Sequence, residues 1–407
     1  RMITLKDKIR DNLDFLYGPV AGKKVYNQLL DLIRKFDDRF FSDAKPGPAG
    51  KRFTERDAVL ITYGDQVRSR DQAPIPTLKK FLSDNLDGLV NTIHLLPFFP
   101  FSSDDGFSVI DYRMVNPEYG DWQDVRRLGK KFDLMVDAVI NHISRESGWF
   151  SCYRKGDPEY QDFFIEVDDS WDLSRVVRPR DKPLTVEVTV KGETRRLWST
   201  FSSDQIDLNY ANPKVLVRIA ELLLFYVEQG AKVIRLDAIA YLWKKSGTTC
   251  IHLEETHRVV KLFRAVLDSV APDVVLITET NVPHEENVSY FGDGDEAQMV
   301  YQFPLPPLVL DALLTGSGAS LTRWARRLRF PESGMTFFNF LASHDGIGLR
   351  PAEGILPEKS IDRLVKKVEQ HGGAISYRAG SDGGRRPYEL NTSYFYAVSN
   401  HKSPEPL

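Results

Sequence analysis

Cysteine is scarce: among 407 residues only Cys152 and Cys250 are present. They stand far apart and form no Cys-x-x-Cys, so neither a disulfide framework nor a zinc site is indicated; two reduced thiols in a cytoplasmic protein are expected. Also missing is any apolar run of the roughly 18 residues that a membrane-spanning helix needs. Arg1 to Gly18 mixes charges with single apolar residues and has no signal-peptide core, so export is not expected. Neither sign of charge is in excess. Lys+Arg number 54 against 57 Asp+Glu, a net charge of -3, which gives no argument for nucleic acid or an anionic membrane as partner. No GxGxxG opens a helix, which argues against a dinucleotide fold. No cluster of oxygen ligands stands out, and His252 and His257, five apart on an expected helix, do not share a face; no metal and no cofactor are expected.

What remains is ordinary globular composition, 42% hydrophobic and 27% charged, enough for a large core. Residues 1–42 read as helical, with Leu5, Ile9, Leu13 and Leu16, then Leu29, Ile33 and Phe36, at helical spacing. Ser42 to Gly50 holds two Pro and two Gly and reads as a linker. Beyond it, short β-branched runs alternate with amphipathic stretches. The expected strands are 58–63, 92–96, 134–139, 233–237, 274–278, 299–302 and 337–343. Asn212-Pro213 is an expected helix start and Gly230 its end. Near-continuous apolar strands alternating with helices predict a parallel sheet, and seven such units predict a TIM (β/α)8 barrel.

The expected organisation is a helical extension and linker over 1–50, strands one to three over 51–142, and an inserted subdomain over 143–205. Strands four to seven follow over 206–345, with a Gly-rich insertion after strand seven within 346–407. Both insertions leave the C-terminal ends of strands, where barrels build their sites. The sequence after Asn400 reads as loop, so the chain is expected to stop before strand eight.

Acidic groups recur where strands end: Asp137 and Asn141-His142 after strand three, Arg235-Leu-Asp237 on strand four, Glu279 on strand five, His344-Asp345 on strand seven. One acid there is usually a salt bridge or cap; three, with Arg and His beside them, point to catalysis. Arg235, two residues before Asp237 and so on the same strand face, is placed to keep that acid ionised.

In order along the chain, 137–142, Ile-Arg-Leu-Asp at 234–237, Glu279 and Ser-His-Asp at 343–345 resemble the four motifs of the α-amylase family, glycoside hydrolase family 13. Narrower stretches, at 95–100, 104–111, 246–250 and 344–348, resemble sucrose phosphorylase and its relatives. Residues 251–257, 278–284 and the N-terminal extension are most similar to glucosylglycerate phosphorylases. The resemblance implies a retaining glucosyl enzyme. Asp237 would be the nucleophile, Glu279 the general acid/base, and Asp345 a transition-state stabiliser that also binds sugar hydroxyls. Asp104, His142 and His344 would hydrogen-bond glucose, Phe107 would form an apolar platform, and Gln205 would line the site.

Such a phosphorylase takes a small-molecule glucoside and inorganic phosphate, so an anion site is expected. Candidates are Arg178 and Arg180 in the first insertion, and Arg385, Arg386 and Tyr388 in the second, which is expected to be mobile through its Gly372, Gly373, Gly380, Gly383 and Gly384. The favoured reaction is phosphorolysis of 2-O-α-glucosylglycerate. The alternatives are sucrose or sucrose 6'-phosphate phosphorolysis, hydrolysis or transglucosylation of an α-glucoside, and, from another class, a non-catalytic carbohydrate-binding fragment.

Overall fold

The computed structural model describes residues 4–40, 53–179, 182–329, 331, 334–379 and 384–399. The linker at 42–50, Arg180, Gly380, Gly383 and everything after residue 399, where an eighth strand was sought, lie outside the described residues. The chain forms two compact units, one of Arg1–Glu279 with Asp293–Gln298, the other of Thr280–Gly292 with Met299–Leu407.

The first unit opens with α1 (Leu5–Phe40), broken at Gly18 (φ 75°, ψ 165°) immediately before Pro19. Pro19 cannot donate to a preceding turn, so a second helical segment starts there. Ile9, Leu13, Val25 and Leu29 are buried, and removing one such side chain to Ala costs about 2–5 kcal/mol. There follow β1 (Val59–Thr62), α2 (Pro74–Asn85), β2 (Thr92–Leu95), α3 (Trp122–Gly129) and β3 (Asp133–Ala138). The segment after β3 contributes β4 (His142–Ser144), α4 (Gly148–Lys155), the hairpin β5 (Thr185–Val190) and β6 (Glu193–Trp198), and β7 (Gln205–Asp207), which pairs back on β4. Its small core of Ile165, Val167, Leu184 and Trp198 also takes in Cys250. Then come α5 (Pro213–Glu228), β8 (Ala231–Leu236), α6 (Glu254–Val270) and β9 (Val275–Thr278).

Strands β1, β2, β3, β8 and β9 pair in that order, all parallel. The middles of β2, β3, β8 and β9 are buried, as the apolar runs require, while β1 is only partly buried. Helix α5 starts as expected: Asn212 Oδ1 accepts from Lys214 N–H at 3.0 Å, Pro213 follows, and Gly230 (φ 103°) lies just past the end. Helix α1 packs on α5 and α6, and the Tyr17 hydroxyl donates to the Tyr210 carbonyl at 2.8 Å. The extension is therefore docked behind the strands that carry Asp237 and Glu279. One expectation fails: α6 begins at Glu254, so His252 lies before the helix, with a left-handed φ of 54°.

The second unit contains α7 (His284–Val288), β10 (Met299–Tyr301), α8 (Leu305–Thr315), α9 (Ala319–Ala325) and β11 (Thr336–Phe338), which pairs parallel with β10. Its distal part comprises β12 (Ile347–Gly348), α10 (Glu358–Gln370), β13 (Ala374–Ala379), β14 (Arg385–Asn391) and α11 (Tyr394–Val398). The Gly-rich insertion is thus a three-stranded antiparallel sheet, β12-β14-β13, with Leu364 and Val368 of α10 in one core with Ile347, Leu349 and Leu390. Gly372 (φ 85°) turns the chain between α10 and β13. Gly373 is demanded by packing: a Cβ there would meet Val368 at 2.5 Å. Each of the seven runs expected to be a strand overlaps one, the last only at Phe337 and Phe338.

Candidate active site

Register decides which acids meet. Asp137 on β3 is the ladder partner of Arg235 on β8, and Leu236 that of Thr278, which precedes Glu279. Arg235 consequently sits among carboxylates. Its Nη1 lies 2.6 Å from Asp137 Oδ1 and 2.9 Å from Asp237 Oδ1, and its Nη2 lies 4.0 Å from Glu279 Oε2. Glu279 Oε2 also accepts from the Ala238 N–H at 3.0 Å. Asp237 and Glu279 therefore flank one guanidinium at the C-terminal ends of neighbouring strands, the arrangement two cooperating carboxylates require.

Behind this pair, Asp137 Oδ2 hydrogen-bonds His94 Nε2 at 2.8 Å, with both side chains buried. Sequence reasoning did not single out His94 or give Asp137 a role. The available signal was alternation: His94 is the one polar side chain between buried Ile93 and Leu95 on β2. Burial pushes the Asp237 carboxyl up from its ordinary value; Arg235 and His142 pull it down, Asp137 adds to the rise, and the net direction is up. Arg235 acts in the expected direction, but desolvation outweighs it.

The sugar-facing residues converge on the same place. His142 Nε2 lies 3.0 Å from the Phe107 carbonyl. Gln205 Nε2 donates to Asp104 Oδ2 at 2.8 Å and to the Phe107 carbonyl at 3.2 Å. The Phe107 ring stands 5.7 Å from the Arg235 guanidinium, so it faces the site and is not simply core packing. Phe201 lies against His142 at 5.3 Å, and Tyr241 lies edge-on to Phe201 at 5.6 Å, two aromatics the sequence reading missed. Buried Tyr112 and Tyr210 pin the chain leaving β3. The Tyr112 hydroxyl donates to the carbonyls of Val139 and His142, and the Tyr210 hydroxyl to that of Ile140.

Asn141 belongs to a second buried network. Lys244 Nζ donates to Asn141 Oδ1 at 2.8 Å and lies 2.6 Å from Asp207 Oδ2. Burial pushes this ammonium down and Asp207 pulls it back up, with a net lowering. Lys244 thus brings a cationic group to an Asn–Asp pair whose members are already bonded to each other, Asp207 also to Thr200. Among the described residues, no group of three or more His, Cys, Asp or Glu is arranged to hold a metal. Nor, among them, is any helix long and apolar enough to cross a membrane.

Arg178 is exposed; the backbone of neighbouring Val177 bonds to Thr249 at 2.9 Å. His344 and Asp345 belong to the second unit, where Asp345 is 54% exposed and lies 3.4 Å from its neighbour's Nε2. Arg385 and Arg386 are exposed on β14, the former over the Tyr377 ring at 4.8 Å. The antiparallel register sets Leu390 against Ile347, and the Tyr388 carbonyl accepts from Leu349. Arg386 is therefore four residues, about 13 Å, back along β14 from the point nearest Asp345.

Residues 84–325 match the α-amylase catalytic domain. The chain is 52% identical over 401 residues to a glucosylglycerate phosphorylase of Spirochaeta thermophila, covering 98% of this chain and 68% of the relative. It is 48% identical over 405 residues to the Escherichia coli glucosylglycerate phosphorylase, covering 98% and 71%. A sucrose phosphorylase of Agrobacterium vitis is 31% identical over 371 residues, covering 84% and 72%. Among solved structures, the sucrose 6F-phosphate phosphorylase of Thermoanaerobacter thermosaccharolyticum superposes with a TM-score of 0.76 at 27% identity, covering 86% of this chain and 73% of that one. The chain belongs to the α-amylase family, on the branch that holds the glucosylglycerate phosphorylases.

Proposed function

We propose that this chain carries the catalytic centre of a retaining phosphorylase that converts 2-O-α-glucosylglycerate and phosphate into α-glucose 1-phosphate and glycerate. The observation that carries the chemistry is the pair of carboxylates, Asp237 and Glu279, on one buried guanidinium. The carboxylate of Asp237 attacks the anomeric carbon. Glu279, in its acid form, gives its proton to the glycosidic oxygen as that bond breaks, so glycerate leaves with a neutral hydroxyl. A phosphate oxygen then attacks the glucosyl ester from the face glycerate vacated. Its proton passes to the Glu279 carboxylate and the bond to Asp237 breaks. Two inversions give net retention, which calls for carboxyl groups about 5–5.5 Å apart. Asp104, His142 and Gln205 bind sugar hydroxyls, and Phe107 stacks on the ring. Free Cys152 and Cys250 fit a cytoplasmic setting.

The acceptor reading rests on the 52% and 48% identities to glucosylglycerate phosphorylases against 31% to a sucrose phosphorylase. Glycerate carries a carboxylate and fructose does not, so a site built for it loses binding when that charge is absent. Run in the synthetic direction with glucose 1-phosphate, the enzyme is expected to prefer glycerate over fructose by at least about tenfold, or about 1.4 kcal/mol. Parallel rates at equal acceptor concentration check this. Faster reaction with fructose moves the protein to the sucrose side of the branch, and free glucose as the main product makes it a hydrolase.

A further inference from the structure

The turn that carries Asp104 and Phe107 has an unfavourable backbone. Asp104, Asp105 and Gly106 are all left-handed, with φ of 56°, 51° and 105°. Only the third is glycine, and a Cβ there would lie 2.9 Å from the Pro97 carbonyl oxygen. Aspartate tolerates this region better than most residues, but two in succession need outside support.

That support comes from a residue outside the reaction scheme. One oxygen of Asp204, Oδ2, accepts hydrogen bonds from three serine hydroxyls that bracket the turn: Ser102 at 2.6 Å, Ser103 at 2.5 Å and Ser108 at 2.7 Å. Ser102 Oγ also lies 2.5 Å from Ser144 Oγ on β4, which ties the loop to the strand of His142. Burial alone would push the Asp204 carboxyl up; the serine hydroxyls outweigh it and hold the group below its ordinary value, so it is charged at neutral pH. The next residue, Gln205, grips the same loop through Asp104 Oδ2 and the Phe107 carbonyl. Ser202 Oγ donates to Gln205 Oε1 at 2.8 Å, which orients that amide. Two consecutive residues thus hold one loop, Asp204 by its serines and Gln205 by its sugar-facing groups.

We infer that Asp204 is a positioning residue for the glucosyl pocket: its carboxylate clamps the left-handed turn that presents Asp104 and Phe107 to the sugar. The inference rests on the proposed assignment of Asp104 and Phe107 to glucose binding. The clamp touches the glucosyl side only, and that makes it separable from a general folding role.

The test compares both donors with both acceptors in the intact enzyme. Glucosylglycerate and glucose 1-phosphate place the same glucosyl group in the same pocket. In Asp204→Ala, KM for each is expected to rise by at least about tenfold, while KM for phosphate and glycerate stays within about twofold. Asp204→Asn keeps one acceptor oxygen and should recover part of the loss. If the Ala variant fails to fold, the Asn variant and Ser103→Ala, which removes one of three donors, carry the same comparison. A uniform fall in kcat with every KM unchanged would make Asp204 a structural brace and overturn the inference. Asp104→Ala separates the two layers. Should it raise donor KM while the Asp204 variants do not, the inference alone falls. Should it leave donor KM unchanged, the pocket assignment falls and takes the inference with it.

Discussion

Around Asp237, each polar side chain singled out for the sugar or the chemistry is held by another group: Asp237 by Arg235, Glu279 by the Ala238 N–H, His142 by the Phe107 carbonyl, Asp104 by Gln205. Of the anion candidates, Arg178, Arg385 and Arg386 are exposed; Arg385 lies over the Tyr377 ring, and it and Arg386 ride on β14 away from the residues leading out of strand seven. The glucosyl group is the same in both directions of the reaction, and its oxocarbenium-like transition state needs charge fixed in advance. In the proposed mechanism phosphate and acceptor exchange on one intermediate, and exposed arginines would permit that exchange. Rigidity here follows what stays constant through turnover.

Removing the nucleophile tests the rigid side most severely. Asp237→Asn is expected to lower kcat by about 10⁴-fold or more, about 5 kcal/mol of transition-state stabilisation. Because the change is nearly isosteric and Arg235 keeps Asp137, the circular-dichroism melt should stay within a few degrees of the parent. Near-normal turnover would end the assignment and with it the contrast.

A pH profile measures how dry the held side is. Burial raises the Asp237 carboxyl above its ordinary value, and catalysis needs the ionised form. Activity should therefore be present above the raised value and fall about tenfold per pH unit below it, with the acid limb of kcat/KM for the glucoside above pH ~4. A limb at or below ~4 would mean that Arg235 outweighs desolvation.

The exposed side should give the smallest effects. Single Ala substitutions at Arg178, Arg385 and Arg386 are expected to raise phosphate KM by no more than about fivefold, as solvated ion pairs usually do, and to leave donor KM unchanged. A hundredfold rise at one of them would identify an arginine that becomes buried when phosphate binds, and would break the comparison from that end.

Much of the catalytic cluster was legible because the physics that makes a strand also aims its ends. Apolar runs at 92–96, 134–139, 233–237 and 274–278 had to become buried strands, and polar residues at their C-terminal ends had to emerge together. Gln205 and Phe107 were singled out by resemblance; the ladder between β4 and β7 sets Gln205 against Ser144, and the Gln205 amide bonds the Phe107 carbonyl. His94, Phe201, Tyr241 and Asp204 were missed, because each acts across a gap of dozens of residues that no local pattern spans. The candidates at 385–388 run along a strand whose pairing carries Arg386 away from Asp345.

By itself the sequence determined the seven strands, the helical extension, the start and stop signals of α5, the strand-end acids and the free thiols. These depend on periodicity, capping and composition, which are local. Tertiary structure alone decided that Asp137, Asp237 and Glu279 share one guanidinium, that His94 backs Asp137, that Lys244 occupies the Asn141–Asp207 pair, and that three serines meet one oxygen of Asp204. Strand register sets the first two of these, since moving β8 one residue against β3 would turn Arg235 away from Asp137. Long-range loop packing sets the others. Both are fixed by the burial of the whole sheet and its connections, a quantity to which every strand contributes and which no single segment contains.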